Sequence, residues 1–176
     1  MKKFELTTEF ITNFLGTKLF RIKALVEFGK VEKGELGGFV EKEENLDHDG
    51  DAWVSGNAMV YGDARVSGDA RVSGDAMVSG DARVYGNAWV SGDARVYGDQ
   101  MYATVKGFGS EYRNTTFFIT KDGNVCVNCG CFSGTLEQFR EKVEETHKDT
   151  KYAKEYLMIA DLMEMHFKEE LEKIKK

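Results

Sequence analysis

Residues 51–98 read DAWVSG, NAMVYG, DARVSG, DARVSG, DAMVSG, DARVYG, NAWVSG and DARVYG, which are eight consecutive copies of one six-residue repeat. Within each copy the alanine and the valine are two residues apart, so in an extended chain both point to the same side. Glycine followed by aspartate or asparagine favours a corner, because glycine accepts positive φ and the next side chain bonds to local backbone. Each copy is therefore predicted to form a strand of about four residues and a turn.

A coil with three strands per turn keeps every valine inward, whereas eight antiparallel returns through so small a corner do not. The repeats therefore predict a parallel β-helix in which Val54, Val72 and Val90 stack on one another. Residues 36–40 and Leu46 fall roughly in the same register, which predicts an irregular first coil and about three coils in all. The pattern resembles the hexapeptide repeat of left-handed parallel β-helices, and left-handedness is what this resemblance implies.

Residues that point outward sort into three faces when they are read with a period of eighteen. The Trp face carries Trp53, Arg71 and Trp89; the Met face carries Met59, Tyr61, Met77, Arg95 and Tyr97; the Arg face carries Arg65, Ser67, Arg83 and Tyr85. Large apolar side chains on flat β-faces are unusual for a monomer, and Tyr, Trp, Met and Arg are enriched at interfaces. Either the flanking segments cover these faces, or the faces mediate self-association. We expect self-association.

The Met face is the expected oligomer interface, because Arg95 is its only charged outward residue. We expect a homo-oligomer that uses Met59, Tyr61, Met77 and Tyr97, and the resemblance to hexapeptide-repeat proteins implies a trimer. The Trp face would then stay open. Its stacked indole and guanidinium groups form either a surface cation–π stack or a clamp for a planar ligand such as a nucleotide base.

The flanking segments have a different character from the repeats. Residues 18–24 alternate like a strand, and residues 9–12 either pair with them or form a short helix. Further along, residues 115–120 and 124–128 indicate a hairpin, Thr135 and Gln138 form a capping box, and helices run to about His147 and from about 151 to 174. The expected fold is mainly β with C-terminal α: an N-terminal β cap (1–33), a β-helix (34–103) and a ββαα domain (104–176).

No set of residues with a catalytic spacing stands out, and we expect a protein that is not an enzyme. Hexapeptide acyltransferases need a histidine base beside a coil, and the eight repeats contain none. His48, just before the repeats, is the one candidate base for a degenerate acyltransferase. We expect it to be a solvated loop residue.

Three further groups could bind ions, and for each the structural interpretation is favoured. Zinc could be held by Cys126, Cys129 and Cys131 with His147. In a strand, however, Cys126 faces opposite to Val125 and Val127, so it could approach Cys129 only after a bend. Buried structural thiols and no metal are therefore expected. Corner residues such as Asp51, Asp69 and Asn87 fit turns better than calcium. The helix start at Thr135 could accept an anion, with Arg113 supplying a partner charge. Arg113 is therefore kept among the candidate ligand-binding residues. The favoured interpretation is nevertheless that Thr135 caps the helix alone.

Charge and composition exclude several classes of partner. The net charge is −6, and no segment is basic enough for a surface that binds duplex nucleic acid. No apolar run approaches the roughly 18 residues of a membrane span. Three cysteines without an export signal are typical of a reducing compartment, so we expect a cytoplasmic protein without a cofactor.

The order of parts in the whole chain carries a second resemblance. LFRIKAL at 19–25, GELGGFVEKEENL at 34–46, the repeats, and CGCFSGTLEQFREKVEETH at 129–147 resemble uncharacterised bacterial and phage-borne proteins that automated labels call polymer-forming or cytoskeletal. This family offers no catalytic motif, and it implies a mobile-element setting in which small proteins often inhibit host defences. The leading hypothesis is a non-catalytic oligomeric binding protein that blocks a host protein or sequesters a small nucleotide-like ligand. The alternative is a filament built through β-helix ends, against which the flanking segments argue.

Overall fold

The computed structural model describes residues 1–174 and divides the chain into two compact units, Met1–Asp99 and a second that starts at Gln100. The first unit begins with three strands: β1 (Phe4–Thr12), β2 (Lys18–Ala24) and β3 (Leu36–Val40). β1 pairs antiparallel with β2, and β2 pairs antiparallel with β3. The strand predicted at residues 18–24 is confirmed. The short helix considered for residues 9–12 is wrong, because those residues pair with β2 in a long hairpin.

The repeats form a parallel β-solenoid, as the sequence predicts. Its strands are β4 (Trp53–Val54), β5 (Met59–Val60), β6 (Arg65–Val66), β7 (Arg71–Val72), β8 (Met77–Val78), β9 (Arg83–Val84), β10 (Trp89–Val90) and β11 (Arg95–Val96). Each strand has two residues instead of the predicted four, because the corners take up the rest of the repeat. Backbone bonds still join successive coils; for example, the amides of Trp53 and Ser55 donate to the carbonyls of Ala70 and Val72, at 3.0 and 2.9 Å.

Three walls enclose the solenoid core. The Met face is the sheet β1-β2-β3-β5-β8-β11, the Trp face is β4-β7-β10, and the Arg face is β6-β9, extended by a bridge from Leu46 to Val66. Val54 and Val90 both pair with Val72, so the predicted valine stack is confirmed. Every repeat alanine and valine is at most 1 % exposed, which makes this stack the dry core of the first unit.

The first coil is irregular, as its sequence spacing predicts. β3 pairs parallel with β5 and thereby starts the solenoid, although it precedes the regular repeats. Between Leu46 and Val54 the chain has two residues more than a regular repeat, and Lys3 stabilises this stretch. The Lys3 ammonium is buried and donates to the carbonyls of Gly50 and Ala52, at 3.1 and 2.9 Å.

The second unit is an antiparallel meander followed by two helices. Its strands are β12 (Tyr102–Val105), β13 (Thr115–Ile119), β14 (Val125–Cys129) and β15 (Phe132–Thr135), and its helices are α1 (Leu136–His147) and α2 (Lys151–Ile174). The two predicted strands and both helices are confirmed, and the capping box between Thr135 and Gln138 is present. The sheet has four strands where the ββαα expectation had two. β12 and β15 are short, and the serine and glycine of β15 are poor strand formers that only pairing with β14 holds extended.

Aromatic packing builds the core of this second unit. The Phe139 ring of α1 lies edge-on to Phe117 at 6.0 Å and to Tyr156 at 5.5 Å, and Phe132 packs against it at 5.6 Å. Among residues 1–174, no helix combines the length and the apolar character needed to cross a membrane.

Candidate functional site

The Trp face brings three of the sequence-predicted ligand residues together. Trp53, Arg71 and Trp89 lie directly beside one another on β4, β7 and β10. They line a cleft of about 240 Å³ whose other wall includes Lys30 and Glu35. The sequence carried no signal for these last two residues, because they lie in an irregular segment that only the fold brings to this face.

Trp53 is buried rather than exposed, which corrects the expectation of an open tryptophan. Its side chain is 5 % exposed, and Phe28 lies edge-on to it with ring centres 5.4 Å apart. The segment before the repeats folds over the indole because burying so large an apolar surface is favourable. Within the described chain, the Trp53 indole N–H is buried without a hydrogen-bond acceptor. Trp53 therefore forms the inner wall of the cleft.

Trp89 forms the outer, accessible part of the same cleft. Its side chain is 38 % exposed, and its indole N–H donates to the Ser73 hydroxyl at 3.2 Å, which fixes the orientation of the ring. Arg71 is exposed between the two tryptophans. The cleft thus combines an oriented aromatic surface with a guanidinium group.

Charges of both signs surround the cleft. Arg71 and Lys30 are the cations among its lining residues, and Glu35 and Asp51 are the anions. The Glu35 carboxylate accepts a hydrogen bond from the Glu32 amide at 3.1 Å, so backbone already occupies part of its accepting capacity. A ligand at this position would meet both positive groups and carboxylate acceptors.

The Met face is partly covered by its own chain, which corrects the expectation of a free interface. Tyr61 is 7 % exposed because it packs with Leu19 and Phe39, and Met59 and Met77 pack against the same cluster. For Met59 and Tyr61 the alternative weighed from the sequence, a face covered by a flanking segment, therefore describes the structure. Tyr97 remains 45 % exposed.

His48 is held in place through both ring nitrogens, which corrects the expectation of a solvated loop residue. Its Nδ1 accepts from the Lys3 amide at 3.1 Å, its Nε2 lies 2.7 Å from Glu43 Oε1, and its ring stacks on Phe4 at 4.4 Å. The bond from His48, and then that from Lys2, lowers the pKa of Glu43. His48 lines a cleft of about 970 Å³ beside the Arg face, but its nitrogens are already engaged, an arrangement typical of a residue that anchors the N-terminus.

The corner residues considered for calcium bind to one another. The Asp69 carboxylate accepts from the Asp51 amide and from the Asn87 side-chain amide, both at 3.3 Å. Amide hydrogens directed at a carboxylate brace the corner from coil to coil and compete with a cation for the same oxygen atoms. The turn interpretation of these residues is therefore the one that the geometry favours.

The cysteines of the second unit do not converge, and the expectation of buried thiols is wrong for Cys131, which is exposed, while Cys126 and Cys129 are half-buried. Cys126 and Cys129 are three residues apart on the continuous strand β14, so they point to opposite faces of the sheet. The Thr115 hydroxyl lies 3.1 Å from Cys129 Sγ, and burial, together with the neighbouring Cys129, raises the pKa of Tyr156. Within residues 1–174, no group of three or more His, Cys, Asp and Glu side chains is placed to hold a metal ion.

Arg113 and the start of α1 also belong to the second unit. The Arg113 guanidinium lies 3.6 Å from the Glu111 carboxylate and packs against Gly130. Thr135 accepts from the Gln138 amide at 3.2 Å, and the Gln138 side chain accepts from the Thr135 amide at 2.9 Å. The helix start is thus capped by its own residues, in agreement with the interpretation that Thr135 caps the helix.

Three walls of short strands, which pair in parallel from coil to coil, define the class of this molecule: it is a β-solenoid repeat protein. Residues 52–98 match the family model of the YdcK beta solenoid repeat, in overlapping segments at 52–68, 64–80, 70–86, 76–92 and 82–98. The last four segments start six residues apart, in agreement with the six-residue repeat. A search of curated proteins found no match.

Proposed function

We propose that this β-solenoid protein is a non-catalytic binding protein that holds a small, planar, anionic ligand of the nucleotide type in the Trp-face cleft. The observation that carries the proposal is the convergence of Trp53, Arg71 and Trp89 with Lys30 on one cleft. These residues are up to 59 positions apart in the sequence, from 30 to 89, and stacking of the coils places them together.

Each side chain of the cleft has a defined role in this proposal. The fixed Trp89 ring offers a stacking surface, and stacking of a base on an aromatic ring contributes about 1–3 kcal/mol. Arg71 and Lys30 supply charge for a phosphate group, and the fork of Arg71 suits two of its oxygen atoms. The carboxylates of Glu35 and Asp51 accept hydrogen bonds from an exocyclic amine. A volume of about 240 Å³ favours one ring system over a large cofactor.

Calorimetric titration with single mononucleotides tests the proposal. Arg71→Ala should weaken binding by roughly tenfold or more, since a hydrogen bond to a charged group contributes about 1.5–3 kcal/mol. Arg83→Ala is the matched control, because Arg83 occupies the same repeat position on the Arg face. The proposal fails if no mononucleotide binds, or if the two variants weaken binding equally.

The resemblance to phage-borne proteins supports a finer form of this function. In that form the protein is of phage or prophage origin and withholds its ligand from a host-defence protein in the bacterial cytoplasm. Mass spectrometry of small molecules released from protein purified from a bacterial host should find a nucleotide in stoichiometric amount. This form is contradicted if denatured protein releases no nucleotide and the purified protein also binds none when titrated.

The filament alternative has less support from the geometry. β2 pairs along the outer edge of β3, so on the Met face the first coil has no open strand edge for another solenoid. Covered edges are the usual means by which sheet proteins avoid end-to-end addition.

A further inference from the structure

The turn between β1 and β2 displays two large apolar side chains to solvent. Phe14 is 80 % exposed and Leu15 is 66 % exposed. Contiguous apolar patches of this kind on a surface mark interaction sites, whereas single exposed apolar residues do not.

This turn is held in a fixed conformation. The Asn13 side-chain oxygen accepts from the amides of Leu15 and Thr17, both at 2.9 Å. The backbone N–H of Asn13 donates to the backbone carbonyl of Thr17 at 3.0 Å, and the backbone N–H of Gly16 donates to the backbone carbonyl of Asn13 at 3.0 Å. The apolar pair is therefore presented by a braced turn, so little conformational entropy is lost when it docks.

An apolar groove lies beside the same turn. It has a volume of about 800 Å³, and its lining includes Met77 and the half-exposed ring of Tyr97. Phe14 and Leu15 form one rim of the groove but do not fill it, since most of both side chains stays in solvent.

The charged groups of the groove are already engaged within the chain. The Arg95 guanidinium donates to the carbonyls of Asp75 and Ala94, at 3.0 and 2.8 Å. The Glu41 carboxylate accepts from the Gly62 amide at 2.7 Å. An uncharged occupant can therefore bind the apolar part of the groove without displacing these hydrogen bonds.

We propose that this groove binds the Phe14–Leu15 turn of a second copy of the chain, and that the second copy binds the first in the same way. Residues 13–17 are uncharged, so the turn brings no charge beside Arg95 and Glu41. The net charge of −6 disfavours wider contact between two copies and favours a contact confined to this apolar patch. The turn and the groove lie side by side on one unit, so a twofold axis between two copies satisfies both at once. This interface is on the Met face and is independent of the ligand proposed for the Trp face.

Sedimentation velocity over a wide protein concentration range tests the proposal. The wild type should form a reversible dimer, and Leu15→Glu or Tyr97→Glu should raise its dissociation constant by roughly tenfold or more, because each places a charge in an apolar contact. Tyr85→Glu is the matched control, because Tyr85 has the same repeat position, is 61 % exposed and lies on the Arg face. It should leave the mass unchanged.

Mixing the two interface variants gives a sharper readout than either alone. Each variant homodimer loses both contacts, whereas a mixed pair places the intact turn of the Tyr97→Glu chain in the groove of the Leu15→Glu chain, which is altered only at its rim. The mixture should therefore dimerise more tightly than either variant. A wild type that is monomeric or trimeric, a Leu15→Glu protein with wild-type mass, or a Tyr85→Glu protein that loses the dimer overturns the proposal. Leu15 lies on an exposed turn, so its variant remains informative even if Tyr97→Glu fails to fold.

Discussion

Glycine is required at the solenoid corners for two separable physical reasons. Gly74 and Gly92 have the same repeat position and similar left-handed φ angles, 71° and 61°. A Cβ added to Gly74 would lie 2.9 Å from the backbone nitrogen of Gly92 in the next coil, whereas one added to Gly92 would meet nothing within 4 Å. The first position is thus constrained by backbone conformation and by coil stacking, and the second by conformation alone.

The pair Gly74→Ala and Gly92→Ala separates these two effects. Both should lose about 1–2 kcal/mol through the left-handed backbone. Gly74→Ala should lose roughly 1 kcal/mol more, because its methyl group forces two hydrogen-bonded coils apart. Urea unfolding measures both changes, and equal losses would show that coil spacing does not constrain Gly74.

Lys3 is the buried cation on which the irregular first coil depends. Lys3→Met should lower the free energy of unfolding by about 1–3 kcal/mol, since the Gly50 and Ala52 carbonyls lose their donor. Lys2→Met is the matched control, because Lys2 is exposed and forms only a surface ion pair with Glu43, whose contribution is small. Equal losses in the two variants would contradict the role given to Lys3.

Burial also gives Lys3 a signature in the pH dependence of stability. Desolvation lowers its pKa below the usual 10.5, although Asp47 and Asp51 oppose this shift. Between the folded-state pKa and 10.5 the unfolded chain therefore binds more protons, so the Lys3 contribution to stability rises with pH through that window. The stability difference between wild type and Lys3→Met should grow as the pH approaches 10.5. A difference that shrinks there would show that the sign is wrong.

At the scale of elements, the sequence predicts best where one pattern is repeated. Eight copies of the same alanine and valine spacing leave a single consistent arrangement, and the valine stack follows from it. The covering of Tyr61 could not be predicted in this way, because it depends on which wall the hairpin β1-β2 joins, and that of Trp53 could not, because Phe28 lies in an irregular segment. The choice of wall is made by pairing between β2 and β3, a contact between segments with no shared periodicity.

The same reasoning applies to the cleft and to the second unit. Arg71 and Trp89 could be placed on one face by counting residues, whereas Lys30 and Glu35 come from an irregular segment without periodic signal. β12 and β15 could not be predicted because their residues become strands only by pairing with β13 and β14.

The valine stack should be the element on which the solenoid depends most. Val72→Asp places a charge between Val54 and Val90 in a dry core, where no partner compensates it, and it should abolish the folded solenoid. Arg71→Asp, one residue earlier on the same strand and exposed, should leave the fold intact. Far-UV circular dichroism and urea unfolding distinguish the two variants. A Val72→Asp protein with wild-type stability would contradict the assignment of the core.

At the scale of the whole molecule, the solenoid offers separate walls for separate contacts. The Trp face carries the cleft proposed for a ligand, and the Met face carries the turn and groove proposed for a second copy. Because variants of the two faces share no residue, loss of one binding event is distinguishable from loss of the other. The trimer that the hexapeptide resemblance implies stays a prediction, and the sedimentation experiment separates it from the reciprocal pair.

The indole N–H signals in the nuclear magnetic resonance spectrum test the proposed ligand site most directly. The chain has two tryptophans, Trp53 and Trp89, and the Trp89→Phe variant assigns their signals. Titration with mononucleotides should move the Trp89 signal in a saturable way, and Arg71→Ala should shift that saturation to higher ligand concentration. If neither indole signal moves with any mononucleotide while the protein stays folded, the Trp face is not a nucleotide site and the proposed function is wrong.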